Sequence, residues 1–189
     1  MSDRRRAGRF SRESGEEFER WIERHHREAL RLGIVAGEVE HNVPHTRMVY
    51  GQLIYERSGL ADYTGILFNG HGSHLAVEAK KRRGDLLKSE VKIRQADHLD
   101  AVSRAGGLAL LLVRFVEGMD HPRADGFVTE HAVRWTEVPW RIRKSAESVA
   151  AEDLAPWRVS PESACYLEPF CPVRGVPPPD LPTRRYPRE

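Results

Sequence analysis

The chain has 189 residues, with 30 lysines and arginines against 28 aspartates and glutamates and a formal net charge of +2. This length predicts one domain with appendages, because domains cluster near ~100–150 residues. Apolar residues make up 40% of the chain, which is enough for a core and excludes wholesale disorder. No window approaches the ~18 consecutive apolar residues of a membrane span, so we expect no membrane partner.

The basic opening of the chain has no apolar segment behind it, so we expect no secretory signal. Two cysteines, Cys165 and Cys171, make neither a disulfide framework nor a four-ligand zinc site. The nine histidines have no dedicated zinc spacing either. We therefore expect a protein of the reducing cytoplasm whose cysteines are plain thiols.

The first part of the chain predicts a basic arm, a helix and two β-rich stretches. Residues 1–12 contain five arginines and are expected to form a flexible arm. Ser14 and Glu17 have the spacing of a capping box, and apolar residues follow at helical spacing, which predicts a helix over 14–32 that ends at Gly33. Pro44 separates the two β-rich stretches, which are 34–43 and 47–55.

The middle of the chain predicts a hairpin, a helix and a buried strand. Asn69-Gly70 is a strong hairpin signal between antiparallel strands at 63–68 and 73–80. A basic loop is expected next, followed by a helix and then a strand that is buried on both faces; these elements span 81–86, 87–105 and 108–115. The resulting order, αβββαβ, indicates an α/β protein with parallel pairing at the centre of the sheet.

After the buried strand, the sequence predicts an outer strand within 126–138 and a short helix over 145–155 capped by Ser145. From Pro169 onward there are seven prolines in 21 residues and little apolar periodicity. The predicted organisation is therefore a basic arm, a domain and an extended or disordered tail, at 1–12, 13–168 and 169–189.

Three residues of the predicted hairpin, Asp62, Glu78 and Lys80, are the candidate catalytic residues. Alternate side chains of a strand share a face, so Glu78 and Lys80 point the same way within an apolar stretch. Asp62 opens the other arm of the hairpin, so strand pairing can bring its carboxylate close to that of Glu78. Two carboxylates at short range repel unless a divalent cation lies between them, and hard oxygen ligands select Mg²⁺ or Mn²⁺.

Lys80 beside such an ion can stabilise charge on a phosphate oxygen or orient an attacking water. This set suits hydrolysis of a phosphodiester. The alternative is that Glu78 and Lys80 form an ordinary surface ion pair, which is common in strands and contributes little.

These residues resemble a known group. Asp62 and Glu78-Ala79-Lys80 match the signature of the PD-(D/E)xK nucleases, with Ala61 where the signature has proline. Over roughly residues 14–155 the chain more closely resembles the RecU family of Holliday junction resolvases. The matching segments are Gly15-Glu-Glu-Phe-Glu19, Val43-Pro44-His45-Thr46, Asp62-Tyr63-Thr64-Gly65, Glu78-Ala79-Lys80, Gln95-Ala-Asp-His98-Leu99, Gly106-Gly107, Leu112-Val113-Arg114-Phe115 and, more weakly, Arg143-Lys144-Ser145.

The resemblance implies a restriction-endonuclease-like αβββαβ core, with a mixed sheet flanked by helices. It also implies a dimeric, Mg²⁺-dependent endonuclease that cuts four-way DNA junctions symmetrically, with Mn²⁺ as a substitute and no small-molecule substrate. Asp62 and Glu78 would bind the metal and Lys80 would stabilise the transition state. Gln95 matches a further metal-site residue, and Glu19 matches a first-helix glutamate that related resolvases place near the metal.

Two departures from the family stand out. RecU proteins usually have threonines just before the aspartate, whereas here Leu60 and Ala61 occupy those positions and Ser58 is the nearest substitute. The stretch between Val49 and Asp62 is also shorter than the family's stalk, so residues 50–59 can form only a short projection. Substrate preference is therefore open between junctions and flap, mismatch or single-stranded DNA, and a non-catalytic junction binder is a third possibility.

Positive charge is concentrated around this site, which favours a DNA partner because local potential, rather than net charge, attracts a polyanion. The alternative is that these residues only form a solvated surface. The candidate phosphate-binding residues are Lys81, Arg82, Arg83, Lys88, Lys92 and Arg94, together with Arg4, Arg5 and Arg6 of the arm.

Overall fold

A five-stranded mixed sheet forms the centre of the protein. The computed structural model describes residues 3–42, 45–49, 52–56, 60–68, 72–116, 128–142 and 145–171. The chain order of the main elements is a long helix, three strands of the sheet, a second helix and two further strands. This arrangement confirms the α/β class and the mixed sheet that the sequence predicts.

The first helix, α1, spans Asp3–Arg31. It begins well before residue 14, so the prediction of a flexible arm at 1–12 is wrong for residues 3–12, which are helical. Arginine and alanine are good helix formers, and that part of the chain holds no proline, so the local capping signal at Ser14 does not start the helix.

The end of α1 was predicted correctly. Gly33 has a φ of 68°, and its N–H bonds to the carbonyl of Leu30 while the Ile34 N–H bonds to the carbonyl of Ala29. These two bonds form a Schellman motif, in which a left-handed residue closes the helix and satisfies its last carbonyls. Glycine fits this position because it has no Cβ to clash.

The predicted β-rich stretches take a different form. Only Glu40–His41 of the first stretch is a strand, β1, and it pairs with the sheet. The second stretch is divided into β2, His45–Val49, and β3, Gln52–Glu56, which pair with each other in a separate two-stranded sheet. Pro44 and the hairpin turn at Asn69-Gly70 lie outside the described residues.

The centre of the sheet matches the prediction. Strand β4, Tyr63–Leu67, pairs antiparallel with β5, Ser73–Arg82, which pairs in parallel with β7, Leu108–Val116. Helix α2, Ile93–Arg104, connects β5 to β7, and every residue of β7 is buried. Strand β5 continues through Arg82, so the expected basic loop is shortened to a turn around Gly84, whose φ is 69°.

The last strand of the sheet, β8, spans Val128–Arg134 and pairs antiparallel with β7, as predicted for the outer strand. The full strand order is β1-β4-β5-β7-β8. Helix α3, Pro139–Ile142, is one turn long and lies between two short 3₁₀ helices in the chain, at Trp135–Glu137 and Glu152–Trp157.

The predicted helix over 145–155 is wrong. Ser148–Val149 forms a short strand, β9, which pairs with β6 at Leu86–Leu87, and the following 3₁₀ helix holds Pro156. Val149 is buried in the core on the α2 face of the sheet, and this tertiary packing outweighs the helical pattern of the local sequence. At the tail, Glu168–Phe170 is a 3₁₀ helix and Cys171 is buried, so the tail does not begin at Pro169; residues 172–189 lie outside the described part.

The core lies in two layers, one on each face of the sheet. The α1 face packs Phe18 and Ile22 of the helix against strand residues such as Leu110. The α2 face packs Leu99 and Val102 against the opposite side of the same strands. Within the described residues, no helix has the length and apolar character needed to cross a membrane.

Candidate active site

The pairing of β4 with β5 fixes Asp62 beside Glu78. Tyr63 faces Val77 in the antiparallel register, so the residue before Tyr63 meets the residue after Val77. The carboxylate of Asp62 accepts a hydrogen bond from the backbone N–H of Ala79, with 3.0 Å between Oδ2 and the nitrogen. Asp62 is thereby held against the strand residue that separates Glu78 from Lys80.

Asn42 holds the chain on the other side of Asp62. Its backbone N–H donates to the carbonyl of Asp62 at 2.7 Å, and its side-chain amide donates to the carbonyl of Ala61 at 2.7 Å and to the hydroxyl of Thr64 at 3.2 Å. Sequence reasoning missed Asn42 as a positioning residue. Nothing local in the sequence marks it, because its partners lie about twenty residues further along the chain.

Glu78 points to the α2 face of the sheet. Its neighbours Val77 and Ala79 pack with the α1-face core, and alternate residues of a strand point to opposite faces. The residue is fully buried, at 0% exposure, so the surface ion pair considered from the sequence does not describe Glu78. Its partner across the parallel pairing is Leu111, which is also fully buried.

The two carboxylate oxygens of Glu78 have different surroundings. Oε1 accepts from the ammonium of Lys80, whereas Oε2 is buried and has no hydrogen-bond partner. Burial and the nearby charge of Asp62 raise the pKa of Glu78 to about 7, against the opposing effect of Lys80. A buried oxygen without a donor is costly, and a bound cation would remove that cost.

Lys80 contacts the buried carboxylate of Glu78 and is itself partly exposed to solvent. Its side chain is 20% exposed, while that of Glu78 has no exposure. Both side chains lie on the α2 face because they are two residues apart in β5. The ammonium can therefore contact Glu78 and remain within reach of an approaching anion.

The donor set fits a hard divalent cation. Asp62 and Glu78 supply two carboxylates, and the orphaned Oε2 of Glu78 supplies an oxygen that no protein group satisfies. Among the described residues no group of three or more histidine, cysteine, aspartate or glutamate side chains could hold a metal. A metal here would therefore need amide, backbone or water oxygens in addition to the two carboxylates.

Gln95 has a contact within its own helix. Helix α2 runs from the end of β5 back to the start of the parallel strand β7, and its middle residue His98 lies near His74 at the start of β5. The side chain of Gln95 is buried, and its Oε1 accepts from the backbone N–H of Lys92 at 3.2 Å, which closes the start of the helix. The described contacts do not join Gln95 to Asp62 or Glu78.

Glu19 is not brought next to Glu78. It is exposed on α1, which packs on the face of the sheet opposite the Glu78 side chain. Burial, followed by the charges of Glu19 and Asp62, raises the pKa of the Tyr63 hydroxyl. Tyr63 is a second residue that sequence reasoning missed: it follows Asp62 directly, and its buried hydroxyl has no hydrogen-bond partner.

The predicted DNA-binding cations have varied surroundings. Arg82 is ion-paired with Glu90 at 2.6 Å, and Lys88 lies 3.7 Å from Glu147. Lys81 points to the α1 face, where partial burial and then the charge of Arg114 lower its pKa. Arg83, Lys92 and Arg94 are exposed, and the side chains of Arg4, Arg5 and Arg6 lie outside the described part.

The residues at the positions where the resembled family has threonines have no side-chain oxygen in this chain. Ala61 is fully buried in the α2-face core, and Leu60 is 44% exposed. Ser58 lies outside the described residues. His98, which follows Gln95 by three residues, lies near His74 instead, with 6.0 Å between ring centroids, and burial lowers its pKa.

No protein-family model matches the sequence, and no curated protein matches it either. The function of this site is therefore argued from its residues and from the motif resemblance.

Proposed function

We propose that this protein is a Mg²⁺-dependent endonuclease that resolves four-way DNA junctions, acting as a homodimer that makes paired symmetric nicks. The observation that carries this proposal is the convergence of Asp62, Glu78 and Lys80. Asp62 is bonded to the backbone of Ala79, between the other two residues, and Glu78 keeps one buried oxygen without a partner. Such a set is best suited to divalent-cation chemistry on a phosphodiester.

Each residue has a separate task in this proposal. Asp62 and Glu78 would hold the cation, with Mn²⁺ able to replace Mg²⁺, and Gln95 and Glu19 are candidates for supporting contacts near it. When bound, the cation would neutralise phosphate charge and lower the pKa of an attacking water. Lys80 is exposed enough to contact a phosphate oxygen and to stabilise the charge that develops there.

The arrangement of elements supports the proposed nuclease class. A helix, three strands, a second helix and a buried strand occur in the order αβββαβ within the sheet that holds the site. Glu78 lies on β5, Asp62 directly precedes the adjacent antiparallel strand β4, and α2 follows both in the chain, as the resemblance to PD-(D/E)xK nucleases implies. A four-way junction has twofold pseudo-symmetry, so two such sites related by a dimer axis would cut opposing strands.

A second candidate keeps the chemistry and changes the substrate. The hairpin formed by β2 and β3 has strands of only five residues each, at the position where the resembled family has a longer stalk. A short projection favours flap, mismatch or single-stranded DNA as alternative substrates. A non-catalytic junction binder remains the third candidate from the sequence.

Cleavage of labelled junction, flap, mismatch and duplex DNA in Mg²⁺, at one salt concentration, tests the proposal. We expect paired nicks in the junction for the wild type. Asp62→Asn and Glu78→Gln should lose cleavage by about 10²-fold or more while still binding DNA, because they remove ligands that provide several kcal/mol of charge stabilisation.

Glu162→Gln is the matched control, because Glu162 is an exposed carboxylate far along the chain from the site. It should cleave like the wild type. Wild-type rates in Asp62→Asn or Glu78→Gln would contradict the catalytic assignment. Cleavage of flaps in preference to junctions would select the second candidate, and Ca²⁺-supported binding with no cleavage in Mg²⁺ or Mn²⁺ would select the third.

A further inference from the structure

Ile93 is an exposed apolar residue at the start of α2. It is the first residue of α2 and is 80% exposed, more than any other large apolar side chain in the described ranges. A single exposed isoleucine is ordinary on a protein surface. This one stands two residues before Gln95 and between Lys92 and Arg94, both of which are exposed.

Ile93 borders a groove between the start of α2 and the segment that holds Trp135 and Trp140. The groove has a volume of about 1470 Å³, and both Ile93 and Gln95 line it. Trp135 and Trp140 form part of its apolar floor, and both are buried. Gln95, which the motif resemblance makes a metal-site residue, also lines this groove, so the proposed function would bring DNA to both.

The charges of the groove favour an anionic occupant at its α2 wall. Its lining includes four cations, Lys88, Lys92, Arg94 and Arg141, and three carboxylates, Asp97, Asp100 and Glu147. Two of these carboxylates are already paired: Asp100 with Arg141 at 2.5 Å and Glu147 with Lys88 at 3.7 Å. Lys92 and Arg94, at the start of α2, therefore leave this wall of the groove with more positive than negative charge, since only Asp97 opposes them there.

We propose, building on the nuclease function above, that this groove takes DNA at a branch point and that Ile93 inserts between two bases there. Lys92 and Arg94 hold the flanking phosphates, and the isoleucine replaces the stacking contact that is lost. DNA-bending proteins use apolar side chains in this way to unstack a base step. Opening a base step costs least where its bases are already unpaired or weakly stacked, and we expect a branch point to be such a place.

The position of α2 connects this wedge to cleavage. Helix α2 covers the face of the sheet to which Glu78 and Lys80 point, so a step opened by Ile93 would lie on the same face of the sheet as the candidate site. The wedge would therefore select branched over continuous duplex DNA, which neither the two carboxylates nor the lysine can do. Ile93 is a specificity-determining residue in this proposal and does not act on the reacting phosphate.

A four-way junction with 2-aminopurine at the branch point tests the wedge directly, because this base fluoresces more strongly when unstacked. The measurement is made in Ca²⁺, beside a duplex that carries the same base. We expect wild-type protein to raise the fluorescence of the junction and Ile93→Ala to lose most of that rise. In Mg²⁺, Ile93→Ala should cut the junction about tenfold more slowly, which corresponds to ~1.4 kcal/mol.

Two further variants separate insertion from a change in folding. Ile93→Met keeps a long apolar side chain and should restore the fluorescence rise. Ile142→Ala is the matched control, because Ile142 is 65% exposed and also lies between two arginines in the sequence, Arg141 and Arg143. It should behave like the wild type in both assays.

The outcomes distinguish this proposal from the proposed function. Unstacking by the wild type in Ca²⁺ without cleavage in Mg²⁺ would support the wedge and refute the nuclease. Junction cleavage with an unchanged fluorescence rise in Ile93→Ala would refute the wedge and leave the nuclease. Loss of dimer in Ile93→Ala, measured by light scattering, would also overturn the wedge, because Ile93 would then be a subunit contact.

Discussion

Arg114 and Glu78 are both buried in the central sheet, yet their surroundings differ. Arg114 points to the α1 face of β7, where its guanidinium pairs with Glu130 at 2.8 Å and lies over the rings of Phe18 and Trp21, 4.6 and 5.5 Å from their centroids. Glu78 points to the α2 face of β5 and has both a cation, Lys80, and a like charge, Asp62, beside it.

The two environments indicate different roles for Arg114 and Glu78. Arg114 has an opposite charge and two aromatic faces, although its Nε makes no hydrogen bond, so its surroundings are those of a structural ion pair. Glu78 has an unsatisfied oxygen and a repelling neighbour, which disfavour its ionised form. A fold tolerates this arrangement when a ligand completes it, and strongly perturbed carboxylates in such settings are candidate functional groups.

The largest expected effect of a single substitution is on the α1 face. Arg114→Ala should lower the free energy of unfolding by about 3–5 kcal/mol, because it leaves Glu130 without its partner and removes the cation from between two rings. Urea unfolding followed by fluorescence measures this change. A loss below about 1 kcal/mol would mean that the ion pair contributes no more than an exposed one, and the contrast between the two faces would disappear.

Acid should also lower the free energy of unfolding, through two histidines on α1. Burial, followed by the charges of Arg24 and Arg114, lowers the pKa of His25 to about 4, and burial lowers that of His26 to about 3. Both imidazoles are neutral in the folded protein at pH 5, whereas the unfolded chain binds their protons below its pKa near 6.5. The free energy of unfolding should therefore fall as the pH drops from 7 to 4, by about 1.4 kcal/mol per pH unit for each extra proton bound on unfolding.

The substitution His26→Gln removes one of these two titrating histidines and so tests its share of the pH dependence. His26 Nε2 lies 2.5 Å from the hydroxyl of Tyr166, and a glutamine oxygen can accept from that hydroxyl without titrating. The stability of this variant should depend less steeply on pH between 6.5 and 4 than that of the wild type. Parallel curves for the two proteins, from urea unfolding at several pH values, would contradict this account of His26.

The smallest expected effect is on the α2 face and has the opposite sign. In metal-free protein at pH 8, Glu78→Gln should raise the free energy of unfolding by about 1–2 kcal/mol, because it removes a buried charge that lies beside Asp62. The corresponding rise in Tm is about 2–4 °C per kcal/mol for a chain of this size. A lower Tm would mean that the Lys80 contact outweighs burial and repulsion, so that Glu78 resembles Arg114 after all.

The sequence predicted the centre of the fold better than its edges, for physical reasons. Leu108–Val113 is an unbroken apolar run, which favours a strand buried on both faces. The hairpin signal predicts the antiparallel pairing that places Asp62 beside Glu78. The pairing of Leu86 with Val149 and the contact of Asn42 with Ala61 depend on residues far apart in sequence, so no local pattern indicates them. The orphaned oxygen of Glu78 also needs three-dimensional packing to become visible.

The supporting residues of the site were the weakest predictions. The resemblance makes Gln95 a metal-site residue, but its amide oxygen already accepts from the backbone N–H of Lys92. Glu19 lies on a helix that packs against the other face of the sheet. A residue's helical spacing does not tell which face of a sheet the helix will cover.

Calorimetric titration of the metal-free protein with Mn²⁺ tests the central claim, that Asp62 and Glu78 together form a divalent-cation site. We expect one Mn²⁺ per chain for the wild type and for Glu162→Gln, and affinities at least ~10–100-fold lower for Asp62→Asn and Glu78→Gln, since loss of an outer contact alone costs that much. Wild-type affinity in both Asp62→Asn and Glu78→Gln would contradict the account.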